Sequence, residues 1–85
     1  MASYSVLIKP STAKELERLP AKPRRQIAAK IYALADEPRP AGCEKLTGAE
    51  LYRIRPGDYR VVYSIEDDVL AVLVVRIGHG REIYR

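Results

Sequence analysis

After residue 50 of this 85-residue chain, every Lys-or-Arg position is an arginine: Arg53, Arg55, Arg60, Arg76, Arg81 and Arg85. A guanidinium is a planar fork of fixed charge that grips two phosphate oxygens at once, whereas a surface needing only solubility could as well use lysine. Arg53 and Arg55 stand two residues apart, and Arg60 follows beyond Pro56-Gly57. The chain then ends Ile77-Gly78-His79-Gly80-Arg81-Glu82-Ile83-Tyr84-Arg85, which adds its sole histidine, a phenol and two further guanidiniums. Histidine titrates near neutral pH and is a natural proton-transfer group, although a lone histidine is more often a surface or capping residue. The chemistry these residue types suit is recognition of phosphate, with His79 as the candidate for moving a proton.

Composition narrows the setting. The net charge of +4, from 15 basic and 11 acidic residues, favours a polyanionic partner, though only modestly. Cys43 is the one cysteine, which excludes an internal disulfide and any Cys-based zinc cluster. No carboxylate cluster has metal-ligand spacing, so a two-metal nuclease is disfavoured and neither metal nor cofactor is expected. There is no Trp or Phe, and all six aromatic residues are tyrosines, each with a hydroxyl that a plain core would not need. The start, Met1-Ala2-Ser3-Tyr4-Ser5, has no signal-peptide character. The longest apolar run, Val69 to Val75, is far short of the roughly 20 residues a spanning helix needs. A cytoplasmic protein with no membrane segment is expected, made of one domain over residues 1–85.

These groups need elements to hold them. Tyr4 to Lys9 reads as a strand ended by Pro10. Thr12 with Glu15 has the spacing of a capping box, with Ser11 as a rival cap, so a short helix is expected from there to about Leu19-Pro20. A second helix starts near Pro23, its Ile27, Ile31 and Leu34 forming one apolar stripe. Glu37 to Gly42 is a breaker cluster and reads as a loop. Beyond it the period changes to that of strands: Leu51 to Arg55, Tyr59 to Ile65 and Val69 to Ile77, joined at Pro56-Gly57 and Glu66-Asp67-Asp68. The last run is apolar almost throughout, as in a central strand. The order β-α-α-β-β-β describes a small α+β domain, two N-terminal helices packed on a mostly antiparallel sheet.

A two-residue turn at Pro56-Gly57 would pair Arg55 with Asp58, Ile54 with Tyr59 and Arg53 with Arg60. Alternation then places Arg53, Arg55 and Arg60 on one face, and Tyr52, Ile54, Tyr59, Val61 and Tyr63 on the other, toward the helices. Arg53 opposite Arg60 is a like-charged pair that weakens the hairpin unless an anion lies between them. The competing reading is a solvated face whose arginines splay apart in water. The glycines around His79 would let the tail fold back over this face.

Three stretches together resemble a known family: Lys45-Leu46-Thr47-Gly48, the hairpin Leu51-Tyr52-Arg53-Ile54-Arg55 with Asp58-Tyr59-Arg60-Val61-Val62-Tyr63, and Gly78-His79-Gly80-Arg81-Glu82-Ile83-Tyr84. With the order of elements, they are similar over nearly the whole chain to the RelE/ParE toxin superfamily of type II toxin–antitoxin systems. The tail resembles the RelE branch, whose toxins cut messenger RNA in the ribosomal A site without a metal, by attack of the RNA's own 2′-hydroxyl. The resemblance implies catalytic roles for Arg60, Arg81, Tyr84 and His79. It implies RNA or phosphate contacts for Arg53 and Arg55, with Lys45 and Arg85 counted beside them. It also implies a RelB-like antitoxin as partner, laid over the helices and the basic sheet. One departure stands out: many relatives carry two adjacent arginines where this chain has Gly80-Arg81. The alternatives are a gyrase inhibitor like the ParE branch, without nuclease chemistry, and an inactivated member that only binds its antitoxin or nucleic acid.

Overall fold

The computed structural model describes residues 3–79. The first strand, β1 (Ser5–Ile8), runs into helix α1 (Pro10–Glu17), and helix α2 (Ala21–Ala33) follows after a tight connection. Four strands follow among the described residues: β2 (Glu44–Lys45), β3 (Tyr52–Ile54), β4 (Tyr59–Glu66) and β5 (Ala71–His79). They form a single sheet in the order β1-β5-β4-β3-β2, with β1 parallel to β5 and every other pairing antiparallel. The expected β-α-α-β-β-β order therefore holds with one addition, the two-residue edge strand β2. So short a strand carries no periodicity of its own for sequence to reveal. As expected of its apolar run, β5 is central, flanked by β1 and β4.

The core lies between α2 and one face of the sheet. Ile27, Ile31 and Leu34, spaced to share a helical stripe, are buried against Ile54, Val61, Tyr63, Val72, Val74 and Ile77. Tyr52 and Tyr59 pack against the same cluster, so the face predicted for the hairpin tyrosines is the face they occupy. Tyr63 is fully buried, and its phenol donates a 2.7 Å hydrogen bond to the Pro38 carbonyl. Cys43 Sγ lies 3.2 Å from the same hydroxyl. A core tyrosine thus ties down the loop that leads into β2. Among the described residues, no helix is long and apolar enough to cross a membrane.

Two local expectations are corrected. Thr12 and Glu15 do not form a capping box: α1 begins earlier, at Pro10, whose missing N–H costs nothing in a first turn, and no side chain caps it. Instead both residues serve β5. Its pairing with β4 skips from Val62↔Arg76 to Tyr63↔Val74, which leaves Val75 as a bulge. The buried Thr12 hydroxyl donates to the Val75 carbonyl at 2.7 Å, and Ile77 N–H donates to Glu15 Oε1 at 3.1 Å. β1 pairs with β5 only as far as Val74, so α1 supplies polar partners to the edge that β1 leaves uncovered.

The second correction concerns the hairpin register. Arg53 pairs with Val62 and Ile54 with Val61, so Arg53 does not face Arg60. The turn sits one residue later than expected: Tyr59 N–H donates to Pro56 O at 3.1 Å, which makes Gly57 and Asp58 its central residues. Gly57 takes φ +62, a conformation that favours glycine. The pairing moves by two residues, an even number, so the same-face relation of Arg53 and Arg60 survives.

Candidate nucleic-acid interface

The sheet face away from α2 carries the basic groups. Across it run Glu44, Arg53, Val62 and Arg76, one from each of four neighbouring strands, by direct pairing. Arg60 lies two residues before Val62 on β4, the diagonal neighbour of Arg53, about 7–8 Å away at Cα by ordinary strand geometry. Gly78 stands directly opposite Arg60 on β5 and offers no side chain to cover it. Arg55 follows the end of β3 and is half-exposed.

Glu44 organises this row. Its Oε1 accepts from Arg53 Nη2 and lies 3.0 Å from Arg55 Nη2, so one carboxylate bridges two guanidiniums. The hydrogen bond from Arg53, then the charge of Arg53, then that of Arg55 hold the Glu44 carboxyl below its ordinary range. The Arg53 side chain is only 8% exposed, against 50% for Arg55 and 52% for Glu44. Arg53 is therefore a buried anchor of the row, and Arg55 presents the accessible fork. Arg76 Nε pairs with Glu15 Oε2 at 3.2 Å, which ties the same face to α1.

The other residues singled out from sequence fall elsewhere. Lys45 pairs with Tyr52 in register, one step out of phase with Glu44 and Arg53, and its Nζ lies 3.6 Å from Glu50 Oε2. His79 pairs with Tyr59, and the two rings meet edge-on with centroids 5.8 Å apart. Directly paired residues share a face, and Tyr59 packs with the core, so His79 sits on the helix side of the sheet, opposite to Arg60. The structure does not bring His79 to the arginine face. Arg81, Tyr84 and Arg85, and the fold-back of the tail, lie outside the described residues.

Glu44 is the functional candidate that sequence reading passed over. Nothing in its neighbourhood marks it, because its role comes from strand pairing with Arg53 nine residues away. Arg55 also borders an open cavity of about 420 Å³ walled by Leu34, Pro40, Ile54 and Pro56, with Lys30 and Glu37 beside it. There is room next to the exposed fork for a group larger than phosphate. Among the described residues, no three His, Cys, Asp or Glu side chains gather as metal ligands would. The arrangement suits binding of a phosphodiester and electrostatic stabilisation of charge on it.

Comparison with known proteins gives a consistent picture. The family model described as the ParE toxin of the type II toxin–antitoxin system parDE matches residues 6–84. Toxin RelG of Mycobacterium tuberculosis is 33% identical over 86 residues, covering 96% of this chain and 97% of the relative. Toxin RelE of the same organism is 33% identical over 84 residues, covering 96% and 87%. In the archaeal RelE–RelB complex from Pyrococcus horikoshii OT3, one chain superposes with a TM-score of 0.83 at 32% identity, covering 93% of this chain and 98% of that one. The isolated E. coli RelE toxin gives a TM-score of 0.80 at 29% identity, covering 96% and 92%.

Proposed function

Because the chain belongs to the RelE/ParE family of type II toxins and is RelE-like in sequence and fold, we propose that it is an endoribonuclease that cuts messenger RNA in the ribosomal A site. The observation that carries this reading is the arginine row: Arg53, Arg60 and the bridged Arg55 belong to one sheet face, with Arg60 opposite a glycine. A gyrase inhibitor without nuclease chemistry has no need of such a row.

In the proposed reaction the RNA 2′-oxygen attacks the adjacent phosphorus and gives up its proton. The bond from phosphorus to the 5′-oxygen breaks, and that oxygen takes a proton as it leaves. The products are a 2′,3′-cyclic phosphate and a 5′-hydroxyl. Negative charge grows on the non-bridging oxygens, and fixed guanidiniums aimed at them lower the barrier. Arg60 fills this role, joined by Arg81 from the tail. Arg55 and the Glu44-bound Arg53 set the phosphate backbone in place. Arginine remains protonated at any working pH, so proton transfer falls to the tail beyond His79, with Tyr84 as its candidate and alignment by the ribosome supplying much of the rate. Arg85 adds charge along the RNA path, whereas Lys45 projects from the other face of the sheet.

The partner proposed for this toxin is a RelB-like antitoxin. Solved RelE–RelB complexes from Pyrococcus horikoshii and E. coli contain chains of the same fold. A net charge of +4 suits an acidic amphipathic segment.

Mapping transcript 5′ ends after induction tests the function. New ends within coding regions are expected, together with loss of growth arrest in an Arg60→Ala, Tyr84→Ala double variant that remains folded. Unchanged toxicity in that variant, or intact transcripts accompanied by DNA-damage signalling, would overturn the reading.

A further inference from the structure

The bridging carboxylate in the arginine row implies something about how the row is used, resting on the RNA reading above. Glu44 Oε1 is the shared acceptor of Arg53 and Arg55, on the face that would meet RNA. Arg53 is almost wholly covered, while Glu44 is half-exposed, so the accessible side of this pair is the glutamate side. A carboxylate and a phosphate offer a guanidinium the same two-oxygen acceptor. β2 is a two-residue edge strand, so the Glu44 side chain can turn aside without disturbing the core on the opposite face.

We propose that Glu44 is an internal counter-anion of the RNA site, occupying between Arg53 and Arg55 the position that a backbone phosphate takes when RNA binds. In the free protein it keeps two neighbouring guanidiniums from repelling each other. On binding, one ion pair is exchanged for another, so Arg53 adds little to affinity for any passing polyanion. The exchange succeeds only for a phosphate delivered to that point, which turns a non-specific basic face into a selective one. Arg76, on the same face, has a carboxylate partner of its own in Glu15, so the same restraint extends along the face.

The test is Glu44→Gln in the full chain, which keeps shape and removes charge. Binding of a short single-stranded RNA, followed by fluorescence anisotropy at several salt concentrations, should tighten about 3- to 10-fold, as expected for one unmasked contact. The slope of log affinity against log salt should steepen by about 0.7, the value for one more phosphate contact on a single strand. In a background carrying both Arg53→Met and Arg55→Met, which keeps the apolar stems, the gain should vanish. Titration with sodium sulfate, read on the Arg53 Nε–Hε resonance, should likewise show tighter binding in Glu44→Gln. Equal or weaker RNA binding by Glu44→Gln, or a gain that persists without both arginines, overturns the proposal. If wild type binds RNA no better than Arg60→Ala, the RNA reading itself fails. The sulfate titration then decides alone: no tightening in Glu44→Gln overturns the masking role, and tightening upholds it.

Discussion

The Thr12 hydroxyl donates a 2.7 Å hydrogen bond to the Val75 carbonyl, at the residue of β5 that the β4 ladder skips. Thr12 is fully buried, so nothing else in its reach replaces that bond with water. Thr12→Val keeps the shape and leaves a buried carbonyl without its donor, a loss of about 1–3 kcal/mol. Thr12→Ser should recover most of it. Urea denaturation of the two variants measures the difference, and equal midpoints would show the bond to be dispensable.

Tyr63, opposite Val74 on the neighbouring strand, makes a second such contact, donating to the Pro38 carbonyl. Tyr63→Phe should cost about 1 kcal/mol, the ordinary worth of a buried hydrogen bond. Burial, with Cys43 beside it, pushes the Tyr63 phenol well above its usual 10.0. The folded protein therefore holds this proton where the unfolded chain releases it. Stability from this group is complete below pH 10 and is lost as pH rises further. Phenylalanine at this position should flatten the alkaline limb of the stability profile.

Two carboxylates act in the opposite direction. Arg53 lowers Glu44 from its ordinary 4.5, and Arg39, aided by the Tyr4 hydroxyl, lowers Asp67 from 3.8. The unfolded chain binds protons at these groups first, so their contribution is present above those values and is lost as pH falls through and below them. Both are exposed, and the effect should shrink in high salt. Glu44→Gln and Asp67→Asn should each flatten the acid limb of a denaturation series between pH 5 and pH 2, the span suggested by such shifts at roughly these values. A profile unchanged by both substitutions would contradict the assignment.

Arg60 is the arginine whose loss should separate chemistry from folding. It lies on the outer face, away from the α2 core, opposite Gly78. Arg60→Ala should lower cleavage of ribosome-bound message by roughly 10²–10³-fold, the usual cost of one transition-state donor. Its stability should change less than that of Thr12→Val, because Arg60 lies outside the α2 core. Arg60→Lys restores charge without the fork and should recover only part of the rate. Single-turnover cleavage and thermal melting distinguish these outcomes.

Much of this protein could be read from its residues in order. The i, i+4, i+7 spacing of Ile27, Ile31 and Leu34 determines a helix with one buried stripe, and all three are buried. Alternation from Tyr52 to Arg55 and from Tyr59 to Tyr63 separates tyrosines from arginines, because a strand turns its side chains with period two whatever its partner. That parity withstands a pairing shift of two residues, which is why Arg53 and Arg60 share a face although they are not opposite one another. Which residue faces which was decided only in three dimensions. The Gly57-Asp58 turn chose the register, and the register put Val62 beside Arg53. The tertiary structure also paired Glu44 with Arg53, seated His79 against Tyr59, and turned Thr12 and Glu15 from apparent caps into partners of β5. Each of these joins groups distant in the chain, through hydrogen bonds whose partners local periodicity does not encode.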